Sequence, residues 1–153
     1  MDFSKNFKRG VILAALVVLI IFVVFATRNC EKMANNGAKT LKIGEISLNI
    51  EIADTEIEKE NGLSGREKLE ENEGMLFVFE KESYYGFWMK DMKFPLDIAW
   101  LDESKKIIYI EKNISPETYP KVFNSPRPAA YILETNARFF ENSGIKVGDV
   151  ADF

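Results

Sequence analysis

The chain has 153 residues, 46% of them hydrophobic and 12% aromatic, enough for one globular domain with a short appendage. Its net charge of −4 is unevenly spread, because residues 1–32 hold 5 basic and 2 acidic residues and leave 15 basic and 22 acidic ones in the remainder. So acidic a remainder repels a phosphate backbone and argues against nucleic acid as a partner, while zero histidines and one cysteine, Cys30, exclude histidine-based nucleophile triads, histidine-ligated metals, an intrachain disulfide and a cysteine zinc cluster.

In chain order, "NFKRGVILAALVVLIIFVVFATRNC" comes first and sets an uncharged run, residues 10–27, behind Lys5, Lys8 and Arg9. As a helix rising ~1.5 Å per residue, the run spans about 27 Å, just short of the ~30 Å hydrocarbon core of a bilayer. A helix apolar all round and flanked by charge does not suit the core of a small domain. Two readings remain: an anchor that holds the chain in the membrane, or a signal peptide cleaved after Ala26 that releases a secreted product. The length of the run favours the anchor, and the positive cluster ahead of it keeps that end in the cytoplasm. Either way the rest of the chain is exported. The expected layout is a membrane anchor or uncleaved signal segment over residues 1–28, a polar linker over 29–39 and a globular domain over 40–153.

Periodicity begins with "TLKIGEISLNIEIA". Leu41 and Ile43, then Ile46, Leu48, Ile50 and Ile52, alternate with polar residues, which predicts two half-buried strands around a Gly44-Glu45 turn. In "DTEIEKENG", Thr55 and Glu58 have capping-box spacing and Gly62 supplies a stop, so a two-turn helix follows. "GMLFVFE" reads as a strand. "YYGFWMKDMKFPLDIAW" reads as two more, over residues 85–90 and 96–101, separated at Pro95. "DESKK" turns the chain into the strand "IIYIEKNI". Residues 115–130 carry four of the five prolines and form a long loop. "AYILETNA" is a strand, "ARFFENSG" a short helix ended by Gly144, and "IKVGDVADF" a last extended segment. The sum is a small, single, β-rich α+β domain. Its short, mostly antiparallel strands are barrel-like, with two short helices, behind the N-terminal transmembrane or signal helix.

Chemistry concentrates where charge meets apolar strand. If residues 85–90 are a strand, Phe87 and Met89 face the core and Trp88 and Lys90 face away. A lysine beside tryptophan and methionine must reach water or a carboxylate. Asp97, between Leu96 and Ile98, and Glu134, between Leu133 and Thr135, are carboxylates in apolar strands, where an unpaired charge is costly. Arg66, after Gly62 and Gly65, can grip a carboxylate or phosphate of a ligand, or pair with Glu134 or Asp97. Mutual pairing predicts that Arg66, Lys90, Asp97 and Glu134 form one cluster with Trp88 beside it. That cluster is either structural or the ligand-binding site.

"GLSGREKL", "GMLFVFE", "FWMKDMKFPLDIAWLD", "RPAAYILE" and "GIKVGD" occur in the order and spacing of the domain of unknown function 192 family, which the chain resembles over residues 46–150. The resemblance implies a small β-rich domain, often preceded by a signal sequence or anchor, and no established reaction. Arg66, Lys90, Asp97, Glu134 and Asp149 match the polar positions of its motifs. Asp91-Met92 stands where many members have Asn-Thr, and Asn136-Ala137-Arg138 replaces a more usual small-Gly pair.

The leading expectation is therefore an exported, membrane-anchored module that binds a small ligand or an envelope partner. No cofactor, catalytic residue or metal site is expected. Two alternatives stand beside it: a hydrolase or transferase in which Asp97 and Glu134 act as a general acid–base pair, and a non-catalytic envelope scaffold.

Overall fold

The computed structural model describes residues 39–153. The segments read as anchor and linker lie outside the described residues, apart from Lys39. Among the described residues no helix is long and apolar enough to cross a membrane.

The alternating segment forms the hairpin β1 (Lys39–Ile43) and β2 (Ile46–Ala53), and Gly44 takes φ 59° at the turn, a conformation that favours glycine. The capping box forms as its spacing predicts. Thr55 Oγ1 accepts from the Glu58 N–H at 3.3 Å and the Glu58 carboxylate accepts from the Thr55 N–H at 3.1 Å, which starts α1 (Glu56–Asn61). Then come β3 (Glu73–Ser83), β4 (Leu96–Leu101), β5 (Ile107–Ile114), a 3-10 turn (Pro116–Thr118), β6 (Ala129–Asn136), α2 (Phe139–Ser143) and β7 (Ala151–Asp152). The strands make one seven-stranded sheet in the order β5-β4-β6-β3-β2-β1-β7. All its pairings are antiparallel except β2 with β3, which α1 and the following loop connect. The sheet curls into a half-barrel, and a single bridge between Lys106 and Val150 links the region of β7 to the start of β5.

Every residue of β4 is buried, so both faces of the sheet are covered. Ala99 and Leu101 face the inside of the curl with Leu41, Leu48, Ile50 and Phe140. Leu96, Ile98 and Trp100 face the other side with Met75, Phe77 and Ile132, where irregular segments cover them. One of these covers corrects the sequence reading. Residues 85–90 are not a strand: Phe87 alone bridges Phe123, with N–H to O distances of 2.9 and 2.8 Å in the two directions. The facing of the side chains is nonetheless as expected. Met89 is buried and Phe87 packs on the core, while Trp88 and Lys90 point outward.

The departure at residues 136–138 has a local consequence. Arg138 occupies the N-cap of α2 in the left-handed region, φ 69°, without a side-chain capping bond. A Cβ there costs roughly 1 kcal/mol relative to glycine. Arg138→Gly should therefore raise stability by about 0.5–1 kcal/mol in equilibrium denaturation. A loss instead would show that the exposed 3.4 Å pair of Arg138 with Glu141 outweighs the backbone strain.

Candidate functional site

The outer face of β3, β6 and β4 carries Phe77 and Phe79 beside Glu134, which sits opposite Met75 on β3 and Ile98 on β4. Above this face stand α1 on one side and residues 84–92 on the other. The loop after α1 is clasped to the aromatic segment by two bonds: Ser64 Oγ donates to the Lys90 carbonyl at 3.0 Å and Gly65 N–H to the Asp91 carbonyl at 2.8 Å. Between these walls lies a cleft of about 400 Å³, lined by the rings of Phe77, Phe79, Tyr85, Phe87 and Trp88, with Glu134 in its lining. Phe77 and Phe87 meet edge to face at 4.7 Å and Phe79 stacks on Tyr85 at 3.6 Å, so the walls are pre-formed. Trp88 is 52% exposed at the rim and touches Tyr119 edge on at 6.3 Å.

Glu134 is the unusual group. It is only 5% exposed, and burial pushes its carboxyl up to about 8, with the Arg66 charge opposing that shift. No hydrogen bond contributes to that shift. Among the described residues no fully enclosed side-chain oxygen or nitrogen lacks a partner. The Glu134 carboxyl therefore opens onto the cleft it lines.

The predicted cluster of four charges does not form. Asp97 pairs across the ladder with Thr135, and Glu134 with Ile98, so the two carboxyls project from opposite faces of the sheet. Fully buried on the inner side, Asp97 accepts from the Asn113 N–H at 2.8 Å and from the Phe140 N–H at 3.2 Å. It thus holds the bulged end of β5 and the first turn of α2, a structural task. Arg66 pairs with neither strand carboxyl. Its guanidinium grips Glu51 of β2 through two bonds of 2.5 and 2.8 Å, which hold Glu51 below and Arg66 above their ordinary values. Lys90 is exposed and contributes only its carbonyl to the clasp. Asp149 accepts from the Lys146 N–H at 3.0 Å and fixes the turn before β7. Of the five candidates, Glu134 and Trp88 line the cleft, Arg66 acts on it at a distance, and Asp97 and Lys90 lie outside it.

Sequence reasoning missed Lys59, Phe79 and Tyr85. Lys59 Nζ stands 5.0 Å above the Phe79 ring and pairs with Glu56 at 2.9 Å. Met75, Phe77 and Phe79 alternate along β3 and so share the Glu134 face, a signal that requires the β3–β6 pairing to be read. Among the described residues no group of three acidic or thiol side chains could hold a metal ion.

Fold and cleft define a class of small β-rich domain with an aromatic pocket over one buried carboxyl. Residues 39–153 match the family model DUF192, described as "Uncharacterized ACR", and the chain belongs to that family. It is similar to a crystal structure of a candidate transcription regulator from Sinorhizobium meliloti 1021, with 29% identity, 74% of this chain and 89% of that one covered, and a TM-score of 0.69. It is also similar to a protein of unknown function from Novosphingobium aromaticivorans, with 27% identity, coverage of 74% and 84%, and a TM-score of 0.71. No curated protein matches the chain.

Proposed function

We propose that this domain is a binding module for a small ligand, held outside the cytoplasm by residues 10–27 as a membrane anchor. The observation that carries the reading is the pre-formed aromatic cleft of about 400 Å³ with a nearly buried carboxyl opening into it. A cleft walled by aromatic rings, with a nearly buried carboxyl and the charged Glu56, Lys59 and Glu60 of α1 in its lining, suits a ligand that combines an apolar body with a polar head. The anchor half of the proposal rests on the Lys5, Lys8 and Arg9 cluster ahead of the uncharged run. With Asp97 and Glu134 on opposite faces, the carboxylate-pair hydrolase has no shared cleft to work in. Transcription regulation, the description attached to one structural neighbour, is not carried over, because 22 acidic against 15 basic residues after residue 32 disfavour a phosphate backbone.

The test is a thermal-shift screen of the full-length chain in mild detergent against sugars, peptides, nucleotides and small organic ions. A ligand present at about 100 times its Kd should add about 2.7 kcal/mol of stability. Trp88→Ala should weaken that binding without lowering the stability of the free protein, since its ring is 52% exposed. Absence of any stabilising ligand, or binding indifferent to Trp88 and Glu134, would overturn the reading. Protease added outside intact cells should digest the domain while the chain fractionates with membranes; a soluble product beginning at Thr27 would show cleavage instead.

A further inference from the structure

We propose that the cleft is built for an organic ammonium ion, seated against the aromatic rings with Glu134 as its counter-ion. This deepens the small-ligand reading above and rests on it. Three independent observations converge. The first is the walls: aromatic faces carry the negative part of the ring quadrupole and attract cations, an ammonium head among them. The second is Glu134, 5% exposed and without a hydrogen bond from any described residue, in the lining of that aromatic cleft. The cation whose charge acts on it, Arg66, is held by two bonds to Glu51 and does not form an ion pair with Glu134. A buried carboxyl that opens onto a cavity without a cationic partner is complementary to a cationic ligand. The third is Lys59. Its ammonium already lies 5.0 Å above the Phe79 ring at the cleft wall, with its charge answered by Glu56. The geometry an amine would need is thus displayed by a side chain of the protein itself.

The charge of the surroundings points the same way. Facing the cleft, α1 supplies Glu56, Glu60 and Lys59, and the face below supplies Glu134. The segment 84–92 lines it only with uncharged groups, and the Tyr85 hydroxyl is turned to the Lys81 carbonyl at 2.8 Å. Arg66 is the cation that acts on Glu134 from outside, flanked by Glu51 and Glu73. An anion would meet three carboxyls and one ammonium whose partner is present. A cation meets an excess of negative charge and a set of rings.

Protonated when the cleft is empty at neutral pH, Glu134 must ionise to become the counter-ion. The exchange is one carboxyl proton released to solvent for one ammonium ion taken up, with no covalent change. Calorimetry of the full-length chain at neutral pH, in buffers of different ionisation enthalpy, tests this with four probes: choline, n-butylammonium, the neutral choline isostere 3,3-dimethylbutanol, and butyrate. Choline or n-butylammonium should bind, with release approaching about one proton per cation, and the neutral isostere should bind at least about tenfold more weakly. Glu134→Gln keeps the shape of the site and should fold. It should lose about tenfold or more in cation affinity and all of the proton release. Equal binding of the neutral isostere, preference for butyrate, or full cation affinity in Glu134→Gln would overturn the ammonium assignment. If Glu134→Gln or Trp88→Ala still abolishes binding of a neutral or anionic compound, the small-ligand reading survives. If no probe and no compound of the wider screen binds, both readings fail.

Discussion

Asp97→Ala should lower the stability of the full chain by roughly 2–4 kcal/mol, one of the two largest effects expected of any single change here. From the sequence alone, a loss of roughly 3–5 kcal/mol is expected only if the charge cluster is purely structural, through the stranding of a buried cation, and little loss if the cluster is a partly open binding site. Among the described residues no cation pairs with Asp97. Asp97 is 0% exposed, and its two oxygens take the N–H groups of Asn113 and Phe140. Asn113 stands at φ 54° in a bulge where β5 changes register against β4, and Phe140 lies in the first turn of α2. Both donors are backbone groups at places where no regular ladder or helical bond serves them. Alanine orphans both, at ~1–3 kcal/mol each if they stay buried, less whatever water entering the cavity restores. Asn is the sharper probe. Its amide oxygen can serve one donor, but its NH₂ then faces the other, so Asp97→Asn should lose about half as much. Urea unfolding followed by the fluorescence of buried Trp100 measures both variants. A loss below about 1 kcal/mol for Ala would mean that the two N–H groups find other partners, and the structural account of Asp97 would fall.

The same residue shows where sequence reading reached its limit. Burial of a charge between apolar neighbours flagged Asp97 and Glu134 together, and both are indeed buried. Which face each takes depends on the β4–β6 register, a non-local pairing that puts Asp97 beside Thr135 and Ile98 beside Glu134. With a period of two, partners one step apart in register fall on opposite sides of the sheet. Local signals fared better, because their physics is local. The Gly44 turn, the Thr55–Glu58 capping box and the Gly144 stop all lie where their spacing put them. Residues 85–90 mislead because a chain lying flat on a sheet also alternates between core and solvent, yet has a ladder contact only at Phe87. Arg66 was legible as a carboxylate-gripping residue, but its partner Glu51 is one of the half-exposed polar positions alternating along β2, which carried no signal. The antiparallel β3–β6 pairing, which sets Met75 opposite Glu134 and so puts Phe77 and Phe79 on the Glu134 face, was equally out of reach.

Glu134 should make the protein markedly less stable as pH rises from about 4.5 to about 8. Below 4.5 the carboxyl is protonated in both folded and unfolded chains, and its contribution is complete. Above 4.5 the unfolded chain releases the proton while the folded chain keeps it, because burial raises the folded value to about 8. Stability then falls by up to ~1.4 kcal/mol per pH unit, and levels off only when the folded carboxyl also ionises. Across the window the loss sums to roughly 3–5 kcal/mol. Glu51 and Glu58 act with the opposite sign, since their folded values lie below the ordinary one, and their contribution is lost as pH falls below about 4.5. The two effects therefore occupy different windows. The absence of histidine clears the upper one of the side chain that ordinarily titrates there. Glu134→Gln, neutral at every pH, should flatten the profile between about 5 and 8 and overtake the parent protein in stability towards the upper end. Denaturation of both proteins across this range gives the difference directly. A flat difference would mean that Glu134 ionises freely in the folded state, through water or an unrecognised cation in the cleft. An ammonium ligand should produce the same flattening in the parent protein, because it favours the ionised carboxyl and is linked to the same proton.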